Sequence, residues 1–287
     1  MRRLGPLVPS LFPRPGGVLH APPGQVTGLT ATAASTTEID LAWTAASGAT
    51  SYEVERSLDG STQWAQIAAQ AGVSVTDTGR AVATRYYYRV RAVKDGVAGP
   101  WSATADTYSL PAQVANLAAA AASTTQIDLT WDAAASATSY LVERSANGTT
   151  GWTSVGTPSS AAYSDTGRTA GTRYYYRVSA VNPGGTGAAS SVANSYTLPA
   201  QVGTVTPTVA SSSEIDLDWA DVTSATAYSV ERSLTGSGGW AEVGTPATSA
   251  LADTGLTAAT AYYYRVRALN PGGYGAYSAT ATATTDP

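Results

Sequence analysis

The heptapeptide TRYYYRV at Thr84–Val90 returns unchanged at Thr172–Val178 and as TAYYYRV at Thr260–Val266. Successive side chains of an extended strand point to opposite faces. Over Tyr86–Val93 that period places Tyr86, Tyr88, Val90 and Ala92 on one face, and Tyr87, Arg89 and Arg91 on the other. The first face is apolar enough to be core. The second carries two arginines and faces water. The same alternation runs through EIDLAW (Glu38–Trp43), with Ile39, Leu41 and Trp43 inward. In SYEVERS (Ser51–Ser57), Tyr52 and Val54 point in while Glu53 and Glu55 point out. These are half-buried antiparallel strands.

The landmarks around them recur at a fixed interval. Trp43, Trp131 and Trp219 lie 88 residues apart (43 to 131, 131 to 219). Tyr52, Tyr140 and Tyr228 keep the same interval, as do Trp64, Trp152 and Trp240. Self-similarity at one period marks a tandem array. Three units follow, 23–110, 111–198 and 199–287, preceded by an arm over 1–22. The joints read SLPAQV (Ser109–Val114) and TLPAQV (Thr197–Val202). Proline fixes φ and holds the preceding residue extended, so stiff connections are expected. Turn signals punctuate each unit: Asp59-Gly60, Asn147-Gly148, Thr235-Gly236, and NPGG from Asn182 and Asn270. Several short strands per unit with no helical spacing predict an all-β two-sheet sandwich, three times over.

Bulk numbers narrow the function classes. Of 287 residues, 43% are hydrophobic and 13% charged, with net charge −4. Arg2, Arg3 and Arg14 are the only charges before Glu38, so a basic arm precedes an acidic body. A body with one lysine (Lys94) and no basic patch is not built for nucleic acid. The absence of cysteine excludes disulfides and thiolate chemistry. No apolar run reaches the ~20 residues of a membrane span. Pro6, Pro9, Pro13 and Pro15 interrupt the apolar stretch a secretion signal would need, so the arm is expected to remain on the protein.

Each unit resembles a fibronectin type III domain of the bacterial kind. The marks are the early Trp (Trp43, Trp131, Trp219), then SYxVERS, then DTGxxxxTxYYYRV. The resemblance covers about nine-tenths of the chain. It implies immunoglobulin-like sandwiches in a rod. It also implies that Tyr86, Tyr174 and Tyr262 are tyrosine-corner residues, whose hydroxyls bond nearby backbone. The family position six residues before that tyrosine is leucine; here it is Leu256 in the third unit but Arg80 and Arg168 in the others.

Candidate sites are few. Tyr87, Tyr175 and Tyr263, with Trp64, Trp152 and Trp240, are exposed-aromatic candidates for sugar or partner contact, or else cover for neighbouring strands. Arg89, Arg177 and Arg265 are expected to pair with Glu55, Glu143 and Glu231 across the sheet. Asp77, Asp165 and Asp253 of DTG read as turn formers, because a carboxylate pair sharing one water needs two converging copies. His20, the single histidine, has no acidic neighbour. Asn147–Thr149 fits a glycosylation sequon but aligns with hairpin turns in the sister units. The loop Lys94–Gly99 lacks Arg-Gly-Asp. No nucleophile–base pair, phosphate loop or metal cluster is present, and nothing calls for a cofactor.

With strands of up to ~10 residues, a unit spans roughly 30–35 Å, and three reach about 100 Å. The last strand ends at the C-terminus, so any anchor is expected in the arm, through Arg2, Arg3, Leu4, Leu7, Leu11, Phe12 and Arg14. Extended proline-rich segments dock in grooves at low entropic cost. By family analogy this points to a non-enzymatic display protein of a phage or phage-like particle. Its arm would join other structural proteins, its domains would meet host-surface glycans, and it would sit on the virion surface. The alternative is a secreted or cell-surface bacterial spacer or adhesion module associated with polysaccharide-active enzymes.

Overall fold

The computed structural model describes residues 21–287, and every regular element among them is a β-strand. The arm positions Arg2 to Arg14, and His20, lie outside the described residues. The chain divides into two compact units. One runs to Ser109 apart from Ala81–Thr84; the other holds those four residues and Leu110–Pro287.

The first unit is one sandwich. Its smaller sheet has the order β1 (Thr27–Ala33), β2 (Glu38–Thr44), β5 (Ser74–Thr78). The larger has β4 (Ala65–Gln70), β3 (Ser51–Ser57), β6 (Arg85–Lys94) and β7 (Val97–Ala98), with β8 (Ala105–Tyr108) also on β6. All pairings are antiparallel. Alternation decides which face each strand buries. In β2, Ile39, Leu41 and Trp43 are buried; in β6, Tyr86, Tyr88, Val90 and Ala92 are. Trp43 meets Tyr52 edge to face, with centroids 5.5 Å apart at 63°. Ring pairs of this kind contribute about 1 kcal/mol beyond area burial. The Tyr52 hydroxyl is not stranded, since it accepts the Ala46 N–H at 3.0 Å.

The second unit holds two further sandwiches with the same strand order: β9–β16 from Ala118 to Tyr196, and β17–β24 from Val205 to Thr284. Their central strands are β14 (Arg173–Asn182) and β22 (Ala261–Asn270). Trp131–Tyr140 and Trp219–Tyr228 repeat the edge-to-face pair at 5.3 and 5.2 Å. One asparagine ties these two sandwiches together. Asn270 Nδ2 donates to the Thr197 carbonyl at 2.9 Å and to Ser224 Oγ at 3.0 Å. Its Oδ1 accepts the Gly272 N–H at 2.8 Å. Gly272 sits so close that a Cβ would fall 2.4 Å from the Tyr196 carbonyl oxygen, which explains glycine there.

Candidate functional site

Asp77 is the first departure from the sequence reading. It lies on β5, not on a turn, and is 7% exposed. Arg56 Nη1 donates to both its oxygens, at 2.9 and 3.0 Å, and the Tyr88 hydroxyl donates at 2.9 Å. The same triad recurs as Arg144–Asp165–Tyr176 and Arg232–Asp253–Tyr264. The reason is solvation. A buried phenol needs an acceptor, and a buried carboxylate needs donors and a cation. Burial, reinforced by the neighbouring carboxylate, pushes the hydroxyls of Tyr88, Tyr176 and Tyr264 far above the ordinary phenol range. Every member is spent on another. The device staples the two sheets.

The corner residues lie beside it. The Tyr174 hydroxyl accepts the Thr169 N–H at 3.2 Å, and Tyr262 accepts that of Thr257 at 2.9 Å. Leu256 is buried in the third sandwich. Where arginine replaces it, the guanidinium stacks on the corner ring, Arg80 on Tyr86 at 5.3 Å and Arg168 on Tyr174 at 5.6 Å. Each also reaches the triad aspartate at 3.3 Å. Cation–π contact and an ion pair thus substitute for an aliphatic cover.

The six aromatic candidates are half-buried, not free faces as expected for exposed aromatics. Tyr87, Tyr175 and Tyr263 point outward but lie on the hairpin turn. A Cβ at Gly60, Gly148 or Gly236 would fall 2.6–2.7 Å from their ring carbons. Arg85 and Arg173 stack on the first two at 4.7 Å. Below each ring, Ser57, Ser145 or Ser233 Oγ accepts the turn N–H of Gly60, Gly148 or Gly236 at 3.1 Å. Asn147 of the sequon is a turn residue whose Oδ1 accepts the Thr149 and Thr150 N–H groups at 2.9 Å. Trp64, Trp152 and Trp240 carry Arg89, Arg177 and Arg265 on their faces at 4.3, 4.6 and 4.4 Å. Those arginines pair with Glu55, Glu143 and Glu231 at 2.6, 2.7 and 2.6 Å.

The outer face of the larger sheet therefore carries a row of alternating rings and guanidinia. Three of its rings, Trp101, Tyr277 and Tyr274, escaped the sequence reading, and the first two occupy equivalent places. Trp101 stacks on Arg89 and Arg91, each at 4.4 Å, and Tyr277 stacks on Arg265 at 4.0 Å and Arg267 at 4.5 Å. The signal for Trp101 and Tyr277 was the repeat itself: residues 101, 189 and 277 are equivalent, and the second holds only Ala189. Partial burial pushes the Glu231 carboxyl up, but hydrogen bonds from Tyr277 and Arg265 outweigh this and hold it below the usual range.

Residues 22–108 match the family model of the fibronectin type III domain. The same strand order and triad recur in the two sandwiches that follow. The first sandwich is a fibronectin type III domain. Exoglucanase B of Cellulomonas fimi is 32% identical over an alignment of 288 positions that covers 90% of this chain and 25% of that protein. A poly(3-hydroxybutyrate) depolymerase of Ralstonia pickettii is 35% identical over 113 residues, 39% of this chain and 22% of that protein. The chain thus spans about a quarter of the length of these relatives. The solved FN1–FN3 domains of chicken CNTN1 align with 93% of this chain and 100% of that one, at 22% identity and TM-score 0.40. Among the described residues, no three acidic, histidine or cysteine groups are placed to bind a metal. No described helix is long and apolar enough to cross a membrane.

Proposed function

We propose that these domains are a non-catalytic spacer in a bacterial, secreted or cell-surface system that degrades insoluble polymers. The observation that carries the reading is the alignment of nine-tenths of this chain with one quarter of Exoglucanase B, leaving three quarters of that enzyme for other work. The poly(3-hydroxybutyrate) depolymerase, named for a polymer, aligns with a similar fraction of its length. The geometry agrees. The members of the triads and of the outer Arg–Glu pairs are committed to one another. The phage-particle reading draws no support from these relatives, and its arm lies outside the described residues.

A direct test places the chain between a cellulase catalytic domain and a cellulose-binding domain. Hydrolysis of insoluble cellulose should exceed that of a direct fusion, with the rate on a soluble substrate unchanged. The purified chain should release no product from cellulose or poly(3-hydroxybutyrate). Product release by the chain alone, or no gain from the insertion, would overturn the reading.

A further inference from the structure

The third domain departs from the first at one place on its outer face. There Tyr274, Arg267, Tyr277, Arg265 and Trp240 alternate ring and guanidinium, at 4.0, 4.5, 4.0 and 4.4 Å. The first domain has the shorter row Trp64, Arg89, Trp101, Arg91. In that row every cation has its own anion: Glu55 on Arg89 and Glu53 on Arg91, both at 2.6 Å. In the third domain Glu231 holds Arg265, and its other oxygen accepts the Tyr277 hydroxyl. Arg267 has no such partner. The residue opposite it in register is Ser229, where Glu53 stands opposite Arg91. Ser229 Oγ donates instead to Glu242 at 2.9 Å. Among the described residues the Arg267 side chain makes no hydrogen bond or ion pair, although Glu231 lies near enough to feel its charge, and its Nε is sealed from solvent without an acceptor.

An arginine held between two rings has already given up side-chain freedom and part of its hydration. A guanidinium so placed is prepared for a carboxylate, which it binds through two parallel hydrogen bonds. Beside it, Tyr274 is 43% exposed. Arg267 occupies one face of that ring, so a ligand would meet its other face or its edge. A flat aromatic face next to a carboxylate receptor matches a sugar ring with an acidic neighbour.

We propose that Arg267, Tyr274 and Tyr277 form a binding site for an acidic polysaccharide, with a sugar ring on Tyr274 and the carboxylate of the adjoining uronate on Arg267. The choice of a sugar over an acidic peptide rests on the polymer-degradation reading; the anion-binding part does not. The first domain, with Glu53 in place, and the second, with Ser179 at the arginine position and Ala189 at the ring position, lack the site.

The test titrates the full chain with oligogalacturonate at low ionic strength, following Trp fluorescence and calorimetry. One-site binding is expected, weakened by salt as exposed ion pairs are. The fully methyl-esterified oligomer should bind at least about tenfold more weakly, because it keeps the rings and loses the charge. Arg267→Gln should cause a similar loss. Tyr274→Ala, at an exposed position that leaves the fold intact, should weaken binding severalfold. Ser229→Glu, which restores the first domain's pairing, should abolish it. Thermal unfolding of each variant checks folding. Equal binding of acid and ester, unchanged binding by Arg267→Gln and Tyr274→Ala, or binding of oligoglutamate in place of the sugar would overturn the proposal. So would no binding at all. None of these outcomes touches the spacer test, which does not use Arg267.

Discussion

Three tyrosines in a row do three different things. In the third domain, Tyr262 accepts a backbone N–H, Tyr263 covers a turn glycine, and Tyr264 donates to Asp253. Strand alternation separates inward from outward rings, so that division was legible in the sequence. The aspartate partner was not, because DTG looks like a turn until the sheets bring β5 against β6. Asp253→Asn should cost about 2–4 kcal/mol in urea unfolding, less than a fully buried pair because Arg232 is 31% exposed. The phenols add an alkaline limit. Folding raises the hydroxyl pKa of Tyr88, Tyr176 and Tyr264 above the ordinary 10. The stability they contribute is therefore complete below pH 10 and is lost as pH climbs beyond it. Tyrosinate absorbance should show these three groups ionising only together with loss of the circular dichroism signal. Their ionisation in the folded protein at the ordinary pKa would contradict the buried triads.

At the scale of the element, the β3–β4 hairpin shows how one glycine commits a ring. Gly60 has φ +72°, a conformation that disfavours L side chains, and the Tyr87 ring fills the space a Cβ would need. Gly60→Ala should cost about 1–3 kcal/mol from strain and displacement of the ring. Gly79 has φ +72° as well but no atom within 4 Å of its absent Cβ. Gly79→Ala should therefore be the milder substitution, and chemical denaturation of both variants measures the difference. The sequence showed DG, NG and TG as turn signals but not what lay on them. Exposure cannot be read from an outward-facing position when the next loop folds back over it. The same holds for Trp64, Trp152 and Trp240, which lie under arginines from the neighbouring central strand.

On the scale of the molecule, the 88-residue period was visible at once, and with it the number of sandwiches. What differs between repeats carried less signal, because single exchanges such as Glu53 for Ser229 look neutral until the register is known. The contact from Asn270 to Thr197 was likewise invisible, since it joins two repeats through a turn. Asn270→Ala removes both donors and should loosen the second domain from the third. Backbone relaxation should then show the third domain tumbling more independently, with its own thermal unfolding changed by no more than about 1–2 kcal/mol. Unaltered tumbling would mean that the asparagine is incidental to the joint.

The triad that fastens each sandwich is the same in all three, and this has a cost during folding. A central strand brings Tyr-x-Tyr-Arg-Val wherever it lands, and each repeat offers it an aspartate and an arginine in the same places. The chemistry that secures a strand does not state which copy it belongs to; only chain connectivity does. Tandem domains this alike are prone to exchange strands when several unfold together. Refolding from denaturant should leave a larger misassembled fraction for the full chain than for the same domains refolded one at a time. In a chain without cysteine, no disulfide would record or correct the error.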